Sequence, residues 1–186
     1  HIYGARVTTT GVVLDAEGFL VSSAANYQSV PAVASDGTDW EVGWEDYGVS
    51  GAAINGSKVL ANGTVQAQVV ISSGGSDRLV PCVAWNGSNY LVAWHDLRNS
   101  STTGDDIYGI RVASSGAKVG SDFLISTAAG SSTVGASGNQ AIPAVAATST
   151  GTWLVVWQDQ RNSTRDIYGS RVSSAGTVQN LGGIAI

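Results

Sequence analysis

Pro81-Cys-Val-Ala-Trp-Asn-Gly-Ser-Asn-Tyr90-Leu-Val-Ala-Trp94-His-Asp96 is the stretch whose reading decides the fold. Asn86-Gly87 lies between two apolar runs, the signature of a tight hairpin. Pro81 opens the first run, where a strand tolerates a missing N–H. The second run alternates with a period of two: Tyr90, Val92 and Trp94 share one face, Leu91 and Ala93 the other. Both faces are apolar. A strand of that kind lies between two packed layers, whereas a simple sandwich would leave one face polar.

The stretch recurs. Pro31-Ala-Val-Ala-Ser-Asp-Gly-Thr-Asp-Trp40-Glu-Val-Gly-Trp44-Glu-Asp46 precedes it, and a third copy runs from Pro143 through Trp153-Leu-Val-Val-Trp157-Gln-Asp159. The prolines stand 50 and 62 residues apart. A second block follows: Asp106-Ile-Tyr-Gly-Ile-Arg-Val112, Asp166-Ile-Tyr-Gly-Ser-Arg-Val172 and, at the start, His1-Ile-Tyr-Gly-Ala-Arg-Val7. A third element is short and apolar: residues 18–22, 69–72, 123–126 and 183–186. In the copy at Pro31, Ser50-Gly-Ala-Ala-Ile54 stands in place of the second block. Gly4, Gly51, Gly109 and Gly169 read as equivalent, each admitting a bulky neighbour, with the repeated Trp as the candidate.

Four strands per repeat predict an all-β, β-propeller-like array, with a β-trefoil or β-prism as the alternative. The expected division is a single repeat domain over 1–186: a half-repeat 1–30, then repeats 31–80, 81–142 and 143–186. That makes about three and a half blades, whereas closed propellers have about four to eight. The terminal strands are therefore expected to pair with another copy or with flanking chain. Residues 12–14, 18–21 and 182–186 carry no Lys or Pro to guard an edge.

Composition narrows the function classes. Charged residues are only 12% of the 186, against 43% hydrophobic, which excludes intrinsic disorder. The net charge of −5 and the lack of a basic cluster argue against nucleic acid. No apolar run approaches the roughly 20 residues of a spanning helix, so no membrane insertion is expected. A single Cys excludes an internal disulfide and a Cys-based zinc site.

Pro-Ala-Val-Ala, a turn, an aromatic-Leu-Val-Val-Trp-x-Asp strand, an Arg-Asn loop and Asp-Ile-Tyr-Gly-x-Arg-Val together resemble repeats of large secreted or surface proteins of bacteria. Those are distantly similar to TolB-type propellers. The resemblance covers nearly the whole chain. It implies a propeller located outside the cell or on its surface. It does not specify a function, because propellers host enzymes, lectins and scaffolds alike.

Candidate chemistry is sparse. Asp96, Arg98, Asp106 and Arg111 recur as Asp159, Arg161, Asp166 and Arg171, and the copy at Pro31 loses the Arg and the later pair together. The functional reading is an acidic pocket for a calcium ion or a sugar hydroxyl. The structural one is an Asp–Arg network fixing a hairpin end, and repetition favours it. No cofactor is expected beyond that calcium. Trp44, Trp94 and Trp157 read as core, while Trp85 is the aromatic most suited to stack on a sugar. His95 reads as a surface residue, and Cys82 as a small buried hydrophobe. Asp15, Glu17, Glu41, Glu45 and Asp46 could supply a glycosidase's carboxylates, a separation that sequence does not give. Asn55, Asn62, Asn86, Asn99 and Asn162 occupy N-x-Ser/Thr sequons in expected turns, where a glycan could attach. No nucleophile motif is present. The expectation is a non-enzymatic structural or adhesive module. A lectin-like carbohydrate-binding propeller comes second and a glycoside-active enzyme fragment third.

Overall fold

The computed structural model describes residues 1–126, 138–162 and 164–186. These form strands and no helix. A two-stranded sheet pairs β1 (Ile2–Gly4) with β2 (Phe19–Ser22). Three four-stranded sheets follow. The first blade is β3 (Tyr27–Ser35), β4 (Trp40–Gly48), β5 (Gly51–Val59) and β6 (Val69–Ser72). The second is β7 (Arg78–Trp85), β8 (Asn89–Asp96), β9 (Asp106–Ala113) and β10 (Lys118–Ser126). The third is β11 (Gln140–Ala147), β12 (Trp153–Asp159), β13 (Asp166–Val172) and β14 (Ile184–Ala185).

Each blade is an antiparallel meander in chain order. First strands lie beside one another from blade to blade, β3 by β7 and β7 by β11. This is the radial stacking of a propeller, not of a trefoil or prism. The core is accordingly divided into three seams, each built on one repeated Trp. Trp44 packs with Ile2, Val21, Val42 and Val59 against β1 and β2. Trp94 packs with Ile54, Ile71, Tyr90 and Ile110 between the first and second blades. Trp157 packs with Leu91, Ala93, Ile125 and Trp153 between the second and third. Burying one such ring is worth roughly 4–6 kcal/mol by area. The seams also explain the doubly apolar strand. Leu91 faces the third blade and is fully buried, whereas its counterpart Leu154 has no described blade against it and is 43% exposed.

The strand register corrects two alignments. Gly56 lies opposite Gly43, as Gly109 lies opposite Ala93 and Gly169 opposite Val156. Gly56, not Gly51, is therefore the counterpart of Gly109. Lys58 stands in the slot of Arg111 and Arg171, so the first blade keeps its cation there. Nor is Trp the bulky neighbour. A Cβ on Gly109 would lie 2.7 Å from Ile125 Cδ1, and one on Gly169 2.9 Å from Ile186 Cδ1. The fourth strand's apolar residue needs the space.

Polar links cross the seams at both rims. At the rim of the third-to-fourth-strand turns, Arg6 donates to the Ala61 carbonyl at 3.0 Å, Lys58 to Ser114 at 2.6 Å and Arg111 to Ser174 at 3.2 Å. At the opposite rim, where first strands begin and second strands end, Gln28 donates to Ser22 and Asp46, and Gln140 to Ser126 and Asp159. Arg78 takes the same place in the second blade, 3.0 Å from Ser72 Oγ and 3.8 Å from Asp96. These side chains tie a blade's last strand to the next blade's first.

Candidate functional site

The rim where first strands begin concentrates the chain's polar chemistry. Each first strand bends there. Val30, Val80 and Ile142, each before a proline, adopt φ of 48°, 51° and 52° beside a register shift. The left-handed region costs a β-branched residue about 1–3 kcal/mol, a cost met by the surrounding pairing.

The repeated Asp and Arg sit at this rim. Asp96 is fully buried and accepts from Arg98 N at 2.9 Å, Nε at 2.9 Å and Nη2 at 2.7 Å, and from Trp94 Nε1 at 2.7 Å. Asp159 accepts from Arg161 N, Nε and Nη2, from Trp157 Nε1 and from Gln140 Nε2. Arg98 and Arg161 lie 4.0 and 4.1 Å above the rings of Tyr108 and Tyr168, and Arg98 also reaches Asp122 at 2.7 Å. Burial alone would raise the Asp159 carboxyl, but hydrogen bonds from Arg161 and Trp157 outweigh it and hold the group below its ordinary value.

The second pair does not join them, so the four groups do not form the one Asp–Arg network expected at the hairpin end. Asp106 accepts from Asn99 and Thr103, and Asp166 from Thr164. Arg111 reaches the next blade's turn, and Arg171 is exposed. The carboxylates of Asp96 and Asp159 are taken up by their own arginines. Among the described residues no three Asp, Glu, His or Cys side chains converge as a metal would need.

Other expected residues shift as well. Trp85 is not a free platform: it is half-buried, its ring 4.7 Å from that of Tyr90. Asn55 lies inside β5 at 5% exposure, and Asn86 is 4% exposed with its amide donating to Gly151 O, so neither offers a glycan site. Asn99 is half-buried and bonded to Asp106 and Tyr108, while Asn62 and Asn162 are exposed. The Cys82 thiol, pushed up to about 12 by burial, lies 3.5 Å from Ala93 O. Of the acidic residues, Asp15 pairs with Arg6 at 2.8 Å and Glu17 is exposed. Glu41 is buried in the slot of Leu91 and Leu154.

Glu45, His95 and Gln158 are three versions of one slot. Each follows the core Trp, points away from it and pairs with the bend of its first strand, at Ser29, Leu79 and Ala141. Glu45 accepts from Ser29 Oγ, Tyr47 OH and, across the seam, Val80 N at 2.6 Å. His95 is not a bare surface residue: Nε2 lies 2.9 Å from Asp105 Oδ2, and both side chains are largely covered. Asp105 lines a cleft of about 230 Å³ with Asn139, Ala141, Ile142, Gln158, Gln160 and Arg165. Sequence reasoning missed Asp105, Asn139 and Arg165. The doubled Asp105-Asp106, with a His in the slot of Glu45, was the available signal.

No protein-family model matches the chain, and no curated protein matches it. Solved structures do. An endo-arabinase from Bacteroides thetaiotaomicron superposes with a TM-score of 0.63 at 13% identity, over 91% of this chain and 65% of that one. A Trypanosoma rangeli sialidase in complex with sialic acid gives 0.56 at 9% identity, over 95% of this chain and 32% of that one. An α-L-arabinofuranosidase from Lactobacillus brevis gives 0.52 at 10% identity, over 85% and 53%. The shared fold is the propeller. This chain spans less than two thirds of each of those proteins.

These likenesses correct the expectation of a non-enzymatic structural or adhesive module. Those three solved structures carry the names of glycoside-acting enzymes.

Proposed function

We propose that the chain forms part of a glycoside-acting propeller and that the sugar binds at the rim carrying Glu45, His95 and Gln158. The observation that carries this reading is the Asp105 carboxylate, held by His95 at 2.9 Å and facing a cleft that spans the second and third blades. Amides of Asn139, Gln158 and Gln160 and the Arg165 guanidinium surround it, a donor and acceptor set suited to sugar hydroxyls. An imidazole–carboxylate pair can relay a proton to or from a bound hydroxyl or water. Glu45 is the second carboxylate at this rim, restrained by its three donors.

This reading carries with it a location outside the cell or on its surface. It also accounts for apolar surface at both ends of the array. Leu154, Ile184 and Ile186 are exposed, and a cleft of about 370 Å³ beside β1 is lined by Tyr3, Val7 and Val33, all exposed, with Phe19 and Trp40. Further blades, from flanking polypeptide or another chain, would cover both.

The test uses linear arabinan, an aryl α-L-arabinofuranoside and sialyllactose, with binding read by calorimetry and turnover by released sugar. One class should bind. His95→Ala and Asp105→Asn should weaken binding or turnover at least tenfold with the melting temperature kept. Neither binding nor turnover of any of the three by the intact chain would overturn the proposal.

A further inference from the structure

The second and third blades define a built-in cation slot, and the first blade has it without the cation. In the complete version a buried Asp at the end of the second strand receives the fork of an Arg two residues on. That guanidinium lies over a Tyr of the third strand. In the first blade the Asp is Asp46, but Gly48 stands in the Arg position and Asn55 in the Tyr position.

What remains is a cleft of about 450 Å³, open to solvent and lined by Asp46, Gly48, Asn55, Asn26, Ser73 and Gly74, among others. Asp46 is 4% exposed, and among the described residues its carboxylate accepts only from Asn26 at 2.7 Å and Gln28 at 3.0 Å. None of the ion pairs among the described residues involves it. Asn55 is 5% exposed and lines the same cleft, and its Oδ1 is buried without a hydrogen-bond partner among the described residues. Trp44 Nε1, whose counterparts in the other blades donate to the Asp, is likewise unpartnered.

A buried carboxylate with no paired cation, next to a buried unpartnered acceptor, is costly unless a donor group arrives. We propose that this cleft binds a guanidinium group from outside the chain, with the Asp46 carboxylate accepting its fork. A guanidinium fits better than an ammonium because its planar donors match a carboxylate in two places at once. The other two blades show that geometry with their own arginines. The site shares no residue with the rim cleft around Asp105 and does not depend on the glycoside reading.

The experiment titrates the intact chain with agmatine, with an acetylated Gly-Arg-Gly amide and with cadaverine, all at one ionic strength. The readout is the Trp44 indole N–H resonance, assigned through Trp44→Phe. Agmatine should shift it saturably and at least ten times more tightly than cadaverine. Binding of the peptide as well would identify an arginine side chain as the natural occupant, and binding of agmatine alone a free guanidino compound. Gly48→Arg should remove the response and raise the melting temperature by several degrees. Its φ is not in the left-handed region, and a Cβ there would meet nothing closer than 3.8 Å. A shift that does not saturate, that cadaverine reproduces equally, or that survives Gly48→Arg would overturn the proposal.

Discussion

The three repeated tryptophans allow a comparison that isolates one hydrogen bond. Trp44 and Trp94 are both fully buried at equivalent points of successive seams. Trp94 Nε1 donates to Asp96 Oδ2 at 2.7 Å, whereas Trp44 Nε1 is buried without a partner. Replacing each by Phe removes a similar volume, so the packing loss largely cancels in the difference. Trp94→Phe also loses a hydrogen bond to a charged acceptor, worth about 1.5–3 kcal/mol. Trp44→Phe instead relieves an unsatisfied donor, whose burial costs about 1–3 kcal/mol. Trp94→Phe should therefore be the more damaging by roughly 2.5–6 kcal/mol. At about 2–4 °C per kcal/mol for a chain of this size, the two melting points should differ by roughly 5–24 °C. Thermal melts read by tryptophan fluorescence, with urea midpoints as a check on the slope, measure this directly. Equal costs, or a larger cost at Trp44, would refute the assignment of the indole partners.

Three further outcomes are expected. Arg161→Lys should lower stability by about 1–3 kcal/mol, because an ammonium cannot reproduce the fork on buried Asp159. The Asp159 carboxyl is held below its unfolded value, so its contribution is present above about pH 4 and is lost as pH falls through the folded value. In the variant, acid unfolding should begin at higher pH, and an unchanged acid midpoint would count against the ion pair. Glu41 is pushed up to about 8 by burial, with Lys58 only partly opposing it. Folded protein then keeps a proton that unfolded chain releases near pH 4, so stability should fall as pH rises from about 4 to 8 and level off above. Glu41→Leu should flatten that decline and add roughly 1–3 kcal/mol at pH 8, and a slope surviving the substitution would point to another group. In a glycosylating host, mass spectrometry should find glycan at Asn62 or Asn162 and none at Asn55 or Asn86. Occupancy at either buried site would contradict the strand register.

Sequence by itself determined the blade. The period-two alternation of residues 90–94, the Asn86-Gly87 and Asp36-Gly37 turns and the spacing of the prolines fix strands and hairpins. Those signals act between near neighbours. Apolar residues on both strand faces announced layers on both sides, and the three tryptophans are indeed the centres of the three seams. The contents of the seams were less legible. The first blade's third strand was aligned five residues early, on Gly51 instead of Gly56, because Asn55 and Lys58 replace the Tyr and Arg that mark the block elsewhere. Only cross-strand pairing to Trp44 and Glu41 places them.

Tertiary structure alone decided which polar groups meet. Asp96 finds Arg98 two residues away, a contact that sequence could suggest. Asp105 faces Asn139 and Gln158, and Glu45 holds the Val80 amide, only because one blade's second strand leans on the next blade's first. The emptied cation slot at Asp46 is of the same kind. Gly48 looks like an ordinary turn residue until two other blades show an arginine in its place. Hydrophobic period is a property of a segment and survives in one dimension. A site is a set of distances between segments, and those exist only once the blades have packed.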